Sequence, residues 1–229
     1  MTVIYLKDSA GALNDAVQLP EIPGLGIQLP SNAIELRKPL SPPNDGYAWI
    51  LVDGQAELIE DQRGTVYQIA TGTQQQYDQL GPLPSDLTVE PRPSEAYVWQ
   101  SGAWAKSMTY ATAAKITEIN QRCEATIIAG FTSTALGESY VYASLPVDQL
   151  NLTSASLRGV DMPYPCLNSE GVKAYRAHTA AQLAQVWDDF ERYKTELLLK
   201  ADTLKKRVEQ ASSGSVDDVE SITWEADPS

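Results

Sequence analysis

Apolar positions along this chain recur with two different periods, and the change from one to the other divides it into parts. Residues 1–45 have neither period for long. Short apolar runs alternate there with prolines and glycines, as in "LPEIPGLGIQLP" and "KPLSPPNDG". Proline fixes φ and removes a ladder donor, so this stretch is expected as an extended arm with a strand or two. Residues 46–106 alternate with a period near two. "YAWILVDGQAELIEDQRGTVYQIATG" places Asp53-Gly54 between two apolar runs, the strongest short hairpin signal, because both central residues of that turn need positive φ. A two-residue turn there sets Leu51 opposite Ala56 and Trp49 opposite Leu58. Turns at Asp61-Gln62-Arg63-Gly64 and Thr71-Gly72 would extend it into a meander of three or four strands. "GPLPSDLTVEPRPSE" at 81–95 reads as a semi-rigid proline strap. In "YVWQSGAWAK", a turn at Ser101-Gly102 brings Trp99 against Trp104. With Tyr97 and Trp49, these rings either close a small β core or form a contact patch for a partner.

From residue 107 to 229 the period lengthens to 3.6. Ile116, Ile119, Cys123 and Ile127 make one stripe of a first helix, which Gly130 ends. "SYVYASL" alternates like a strand. Asp148 is a candidate cap for a short second helix, and a hairpin follows with Cys166 on its first strand and a turn at Asn168-Ser169-Glu170-Gly171. Thr179 and Gln182 fit a capping box. The helix they open is expected to run to about Ser212. Leu183, Trp187, Phe190, Lys194, Leu197, Ala201, Leu204, Val208 and Ala211 fall along it at steps of four and three. That is a heptad seam with one charged member, Lys194. The first helix covers part of the seam, and a homo-oligomer through the long helix is an alternative cover for the rest. "VESITW" reads as a closing strand. The fold class is α+β: a small N-terminal antiparallel β domain, then a helical domain with a long heptad-seamed helix and inserted β hairpins.

Composition narrows the function more than it names it. The chain has 229 residues, 43% of them apolar, and a formal charge of −13. Neither half is basic, which argues against nucleic acid or an anionic membrane as partner, since phosphate binding relies on clustered Lys and Arg. With two cysteines and no signal-peptide pattern at Met1, the chain is expected in a reducing cytoplasm with both cysteines as thiols.

Motifs for chemistry are scarce. His178 is the single histidine, without a second ligand at zinc spacing or a nucleophile elbow elsewhere. Gly24 and Gly26 lack the strand-to-helix setting of a dinucleotide site. Asp188, Asp189 and Glu191 read as a solvated helix face. Asp217, Asp218 and Glu220 lack the spacing of a calcium loop. The expectation is a protein without cofactor, metal or catalytic residues.

Three ordered elements carry a resemblance. They are G-F-x-S-x-A-L-G (Gly130, Phe131, Ser133, Ala135, Leu136, Gly137), D-Q-x-N-L (Asp148, Gln149, Asn151, Leu152) and H-T-A-A-Q-x-x-x-V (His178, Thr179, Gln182, Val186). In this order the sequence resembles the C-terminal domain of tail-fibre assembly proteins of tailed phages and phage-tail bacteriocins. The resemblance covers roughly residues 108–225, and the "PRPS" and "WQSGAW" segments match the N-terminal part more loosely. It implies an assembly chaperone, not an enzyme, that binds the C-terminal region of a trimeric tail fibre in the host cytoplasm, assists its folding and trimerisation, and in some members stays at its tip. A structural component of the fibre tip is the alternative that the same resemblance allows. For His178, which precedes the long helix, it implies a structural role.

Overall fold

The computed structural model describes residues 2–225. The chain divides after Ala105 into two compact units.

In the first unit, β1 (Val3–Leu6) pairs antiparallel with β4 (Ala33–Leu36), and a small hairpin of β2 (Glu21–Ile22) and β3 (Gly26–Ile27) lies between them in sequence. Residues 1–45, expected as an extended arm, are packed into this unit. Leu13 N–H donates to Trp49 O at 2.7 Å, Leu40 N–H donates to the Tyr5 hydroxyl at 2.8 Å, and Ile4, Tyr5, Ala12 and Leu13 are buried together with Ala48 and Val66 in the same unit. The hairpin β5 (Tyr47–Val52) and β6 (Gln55–Glu60) has the expected register, with Leu51 opposite Ala56 and Trp49 opposite Leu58. Asp53 and Gly54 turn it with φ of 49° and 81°.

The chain does not continue as one meander. β7 (Gly64–Gln68) leaves β6 and becomes the centre of a separate sheet, between β8 (Gln74–Tyr77) and β9 (Leu87–Thr88). The cause lies at residues 61–63. Asp61 N–H turns back to Gly46 O at 2.7 Å, and the Arg63 guanidinium is held by both Asp61 and Asp8, so this segment is a joint and not a hairpin turn. The proline strap, in turn, contributes β9. Its Arg92 donates to Tyr97 O, Thr71 O and Glu95 O, and packs so tightly on Gly72 that a Cβ there would meet it at 2.7 Å. A last hairpin, β10 (Tyr97–Gln100) and β11 (Ala103–Lys106), turns at Ser101-Gly102 with φ of 53° and 85°.

The second unit is built on a helix. α1 (Met108–Ile128), capped by Ser107, is followed by β12 (Phe131–Ser133), β13 (Tyr140–Tyr142), α2 (Pro146–Arg158), β14 (Met162–Leu167), β15 (Lys173–His178), α3 (Ala180–Ala211) and α4 (Val216–Glu220). The four strands form one antiparallel sheet in chain order. β12 lies where the sequence signals only an exit from the helix. α3 opens on the expected box, with Thr179 N–H to Gln182 Oε1 at 2.8 Å and Gln182 N–H to Thr179 Oγ1 at 3.2 Å.

The seam of α3 is buried within this one chain, in two cores. Leu183 and Phe190, with the adjacent Val186, pack with Phe131, Tyr142, Leu152, Tyr164 and Cys166; Ala201, Leu204 and Val208 pack with Ile119, Cys123, Val219 and Ile222. Lys194 stands at the joint between them, its Nζ 3.5 Å from Glu191 and 5.5 Å from the Phe190 ring. Two local expectations change. Asp148 is not the cap of α2 but its third residue; its carboxylate accepts the Leu145 N–H at 3.2 Å, because Leu145 at the cap position has no polar side chain to offer. "VESITW" is not a strand. Ser215 and Asp218 form a capping box that starts α4, which buries Val219, and the chain after it buries Ile222.

The Asp8–Arg63–Asp61 joint makes acid stability testable. Burial opposes the Asp8 charge, but hydrogen bonds from Arg63 and the Ala12 and Ala10 amides outweigh it and hold this carboxyl below its usual range. Asp61 is held low mainly by its hydrogen bond to Arg63. Lowered carboxylates contribute stability that is full above the unfolded value near 4 and is lost as pH falls through the folded values. Arg63→Ala is therefore expected to destabilise the first unit by about 1–2 kcal/mol at pH 7 in urea titrations. The gap to the wild type should narrow below pH ~4.

Candidate functional site

The motif residues converge on the head of the second unit, where α1 ends, the sheet begins and α3 starts. Gly130 leaves α1 with φ of 110°, donates its N–H to Ser144 Oγ at 3.0 Å, and lies so close to Tyr142 O that a Cβ would meet it at 3.1 Å. The Ser144 hydroxyl donates to Ile127 O, and Gln149 Nε2 donates to Ser144 O at 2.8 Å. Phe131 stacks on Tyr142 at 5.6 Å and meets Phe190 at 5.1 Å. Ser133 Oγ donates to Asp189 Oδ2 at 2.6 Å and accepts the Ala135 amide. Leu136 packs on this core, Gly137 turns the chain with φ of 92°, and Leu152 is buried beneath α2. Asn151 is exposed.

His178 is 2% exposed and has both ring nitrogens engaged. Nδ1 lies 2.8 Å from Arg176 O, a carbonyl that can only accept, so the ring proton sits on Nδ1. Nε2 is left to accept from the Tyr142 hydroxyl at 2.9 Å. Burial pushes the Tyr142 phenol well above its ordinary value, with Cys166 adding to the effect. Arg176 lies 4.8 Å from the Tyr140 ring centroid and donates to Cys166 O at 2.9 Å. Tyr164, buried beside them, is pushed up to about 12. The Tyr142, His178 and Arg176 polar groups satisfy one another within the core. Their arrangement ties the strands of the sheet to one another and to the entry of α3. Among the described residues no group of three or more His, Cys, Asp or Glu side chains could hold a metal ion.

Surface features are where the two units can meet other molecules. In the second, a groove of about 260 Å³ runs between α2 and the β14–β15 hairpin, with Asp148, Asn151, Arg158, Tyr164 and Tyr175 among its walls. Beside it α2 turns Val147, Leu150 and Leu157 outward, 70%, 72% and 82% exposed. Their spacing of three and seven was readable in the sequence, but with the helix boundaries unknown it did not separate from the buried Leu152. In the first unit Trp99 and Trp104 meet edge to face at 5.2 Å, Trp104 donates to Glu90 O at 2.9 Å, and Arg92 lies 5.8 Å from its ring. Tyr97 is half-buried on the same hairpin. Trp49 stands on the β5–β6 hairpin, its Nε1–H given to Ser41 O at 2.8 Å. The indole pair is thus bound to its own strap on one side and half open on the other.

Residues 110–224 match the family described as "Domain of unknown function (DUF4376)". Over 79 residues the chain is 33% identical to the "Prophage tail fiber assembly protein homolog TfaR" of Escherichia coli (strain K12), a match that covers 34% of this chain and 41% of that protein. The chain therefore spans less than half the length of this curated relative. No solved structure matches it significantly. Among the described residues no helix is long and apolar enough to cross a membrane.

If the head is scaffold, its polar ties should register in stability. Tyr142→Phe keeps the ring stack but leaves His178 Nε2 buried without a donor, and is expected to cost about 1–3 kcal/mol. Guanidinium unfolding of the second unit, followed by far-ultraviolet dichroism of α3, checks this.

Proposed function

Because the chain belongs to the DUF4376 family, we propose that its work is the assembly of a phage tail fibre, in which it binds the C-terminal region of the trimeric fibre protein as a chaperone and assists its folding and trimerisation. The observation that carries this reading is the similarity, over 79 residues, to a tail fibre assembly protein homologue. The physical setting supports it. A fibre under assembly exposes unpaired strand edges and apolar surface until its chains have come together, and such surfaces aggregate. A protein dedicated to that stage needs a charged body, exposed apolar or strand-edge contacts, and no chemistry. This chain has a formal charge of −13. It also carries the outward stripe of α2, the half-open indole pair and several exposed strand edges. In this reading it works in the cytoplasm of the host bacterium, and whether it stays on the finished fibre tip is decided by co-elution.

The test is co-expression with the C-terminal portion of its cognate tail-fibre protein, read by size-exclusion chromatography with light scattering. Soluble fibre trimer that forms only when this chain is present is the expected result, and co-elution adds the lasting tip complex. Fibre that trimerises equally well alone, with nothing co-eluting, would overturn the proposal.

A further inference from the structure

The exposed edge strands of the first unit are protected against adding another strand, with one exception. A free edge is a template for a further strand, and proteins blunt such edges with charges, prolines, bulges or cover. Segment 13–17 covers both neighbours on its side: Val17 N–H donates to Ile4 O of β1, and Leu13 N–H to Trp49 O of β5. Glu35 lies in β4, and Glu57 and Glu60 in β6. Prolines flank β2 and β3 (Pro20, Pro23, Pro30) and β9 (Pro84, Pro91). On β10 the Arg92 guanidinium occupies Tyr97 O, and β11 ends in Lys106.

β8 has none of these devices. Its sequence is Gln74-Gln75-Gln76-Tyr77, at the end of the order β8-β7-β9, paired with β7 alone. All three glutamines are exposed, and among the described residues no backbone group bonds to its outer edge. The first charge comes only after the strand, at Asp78, whose carboxylate lies 3.4 Å from Gln76 Nε2. A polar groove of about 450 Å³ adjoins this end of the strand, lined by Tyr47, Asp61, Arg63, Gln76 and Asp78.

We infer that β8 is a docking edge, and that its occupant is an extended segment of the fibre chain rich in Asn, Gln, Ser and Thr. Main-chain hydrogen bonds to an open edge supply affinity, and the side chains presented alternately along it supply selection. Gln74 and Gln76 on one face and Gln75 on the other offer amide donors and acceptors in a row. Such a row pairs with neighbouring amides and hydroxyls as in stacked glutamine ladders, and offers no counter-charge to an ionised strand. The groove adds a bias against acidic side chains, since Asp8, Asp61 and Asp78 outnumber the single guanidinium of Arg63 there. Four residues expose roughly 13 Å of edge, room to pair a strand of about four residues. The inference rests on the fibre-assembly reading above and gives that reading a contact surface.

The experiment uses the full chain, the double variant Gln74→Lys/Gln76→Lys, and the C-terminal segment of its cognate tail-fibre protein. Binding is measured by titration, and amide exchange of residues 74–77 is followed with and without the segment. Both glutamines are exposed, so the variant should keep its thermal midpoint while binding at least about tenfold more weakly. The β8 amides of the wild-type complex should exchange at least about tenfold more slowly than in the free chain. Equal binding by both proteins with unprotected β8 amides overturns the docking edge and leaves the assembly reading standing. A wild-type chain that does not bind the segment at all overturns the assembly reading, and the edge with it. Protection of β8 that appears on concentrating the chain alone would make a second copy the occupant, and overturns the inference too. If the double variant does not fold, the exchange measurement on wild type decides.

Discussion

The second unit depends on one requirement, that an apolar seam along a single 32-residue helix be covered throughout its length. A helix of that size is roughly 48 Å long. No other helix of the unit reaches as far, and so the cover is assembled from several elements. The sheet and α2 close over Leu183, Val186 and Phe190; α1 and α4 close over Ala201, Leu204 and Val208. Each large buried seam side chain contributes about 1.5–3 kcal/mol, enough to make α3 the spine that everything else is fixed against. Lys194 falls where one cover gives way to the other, which is why a charge is tolerated in the seam there. Ile127, near the end of α1, packs against both cores and joins them.

The break between α1 and α3 follows from that requirement. The chain must leave α1 at Gly130, build a sheet, and deliver α3 back along α1, and the polar motif residues control those changes of direction. Ser144 ties the end of α1 to the start of α2, His178 and Tyr142 tie the sheet to the entry of α3, and Thr179 with Gln182 sets the first turn of α3. Buried polar groups that satisfy one another specify a unique arrangement, which gives His178 a physical reason to be there without any chemistry. Contact with other molecules is left to what the scaffold does not consume: strand edges, half-open aromatic rings and the outer face of α2.

Much of this was legible in residue spacing. Local signals with a direct stereochemical cause carried over to the structure: the Asp53-Gly54 turn and its register, the hairpin around Asn168 to Gly171, the capping box at Thr179, and the extent of α3. Signals were misleading where a distant partner decides the outcome. Asp61 and Arg63 resemble a turn until Asp8, 55 residues away from Arg63, draws them into a joint. "VESITW" has the composition of a strand, but Ser215 and Asp218 cap a short helix, and the apolar residues that follow complete the core of α1 and α3 instead of a sheet. Asp148 lies at the expected helix end but three positions inside the cap, Leu145, as happens when capping is read from residue type alone. Of the surface features, the indole pair was visible in sequence. The bare edge of β8 was not, since an edge is defined by which strands fail to pair.

The claim at the centre of this account is that the α3 seam is closed by its own chain. Amide exchange of residues 183–208, measured over a hundredfold range of protein concentration around micromolar, tests it directly. Protection that stays constant across the range is the predicted result. Protection that falls on dilution would mean that a second copy supplies part of the cover, and would contradict the account.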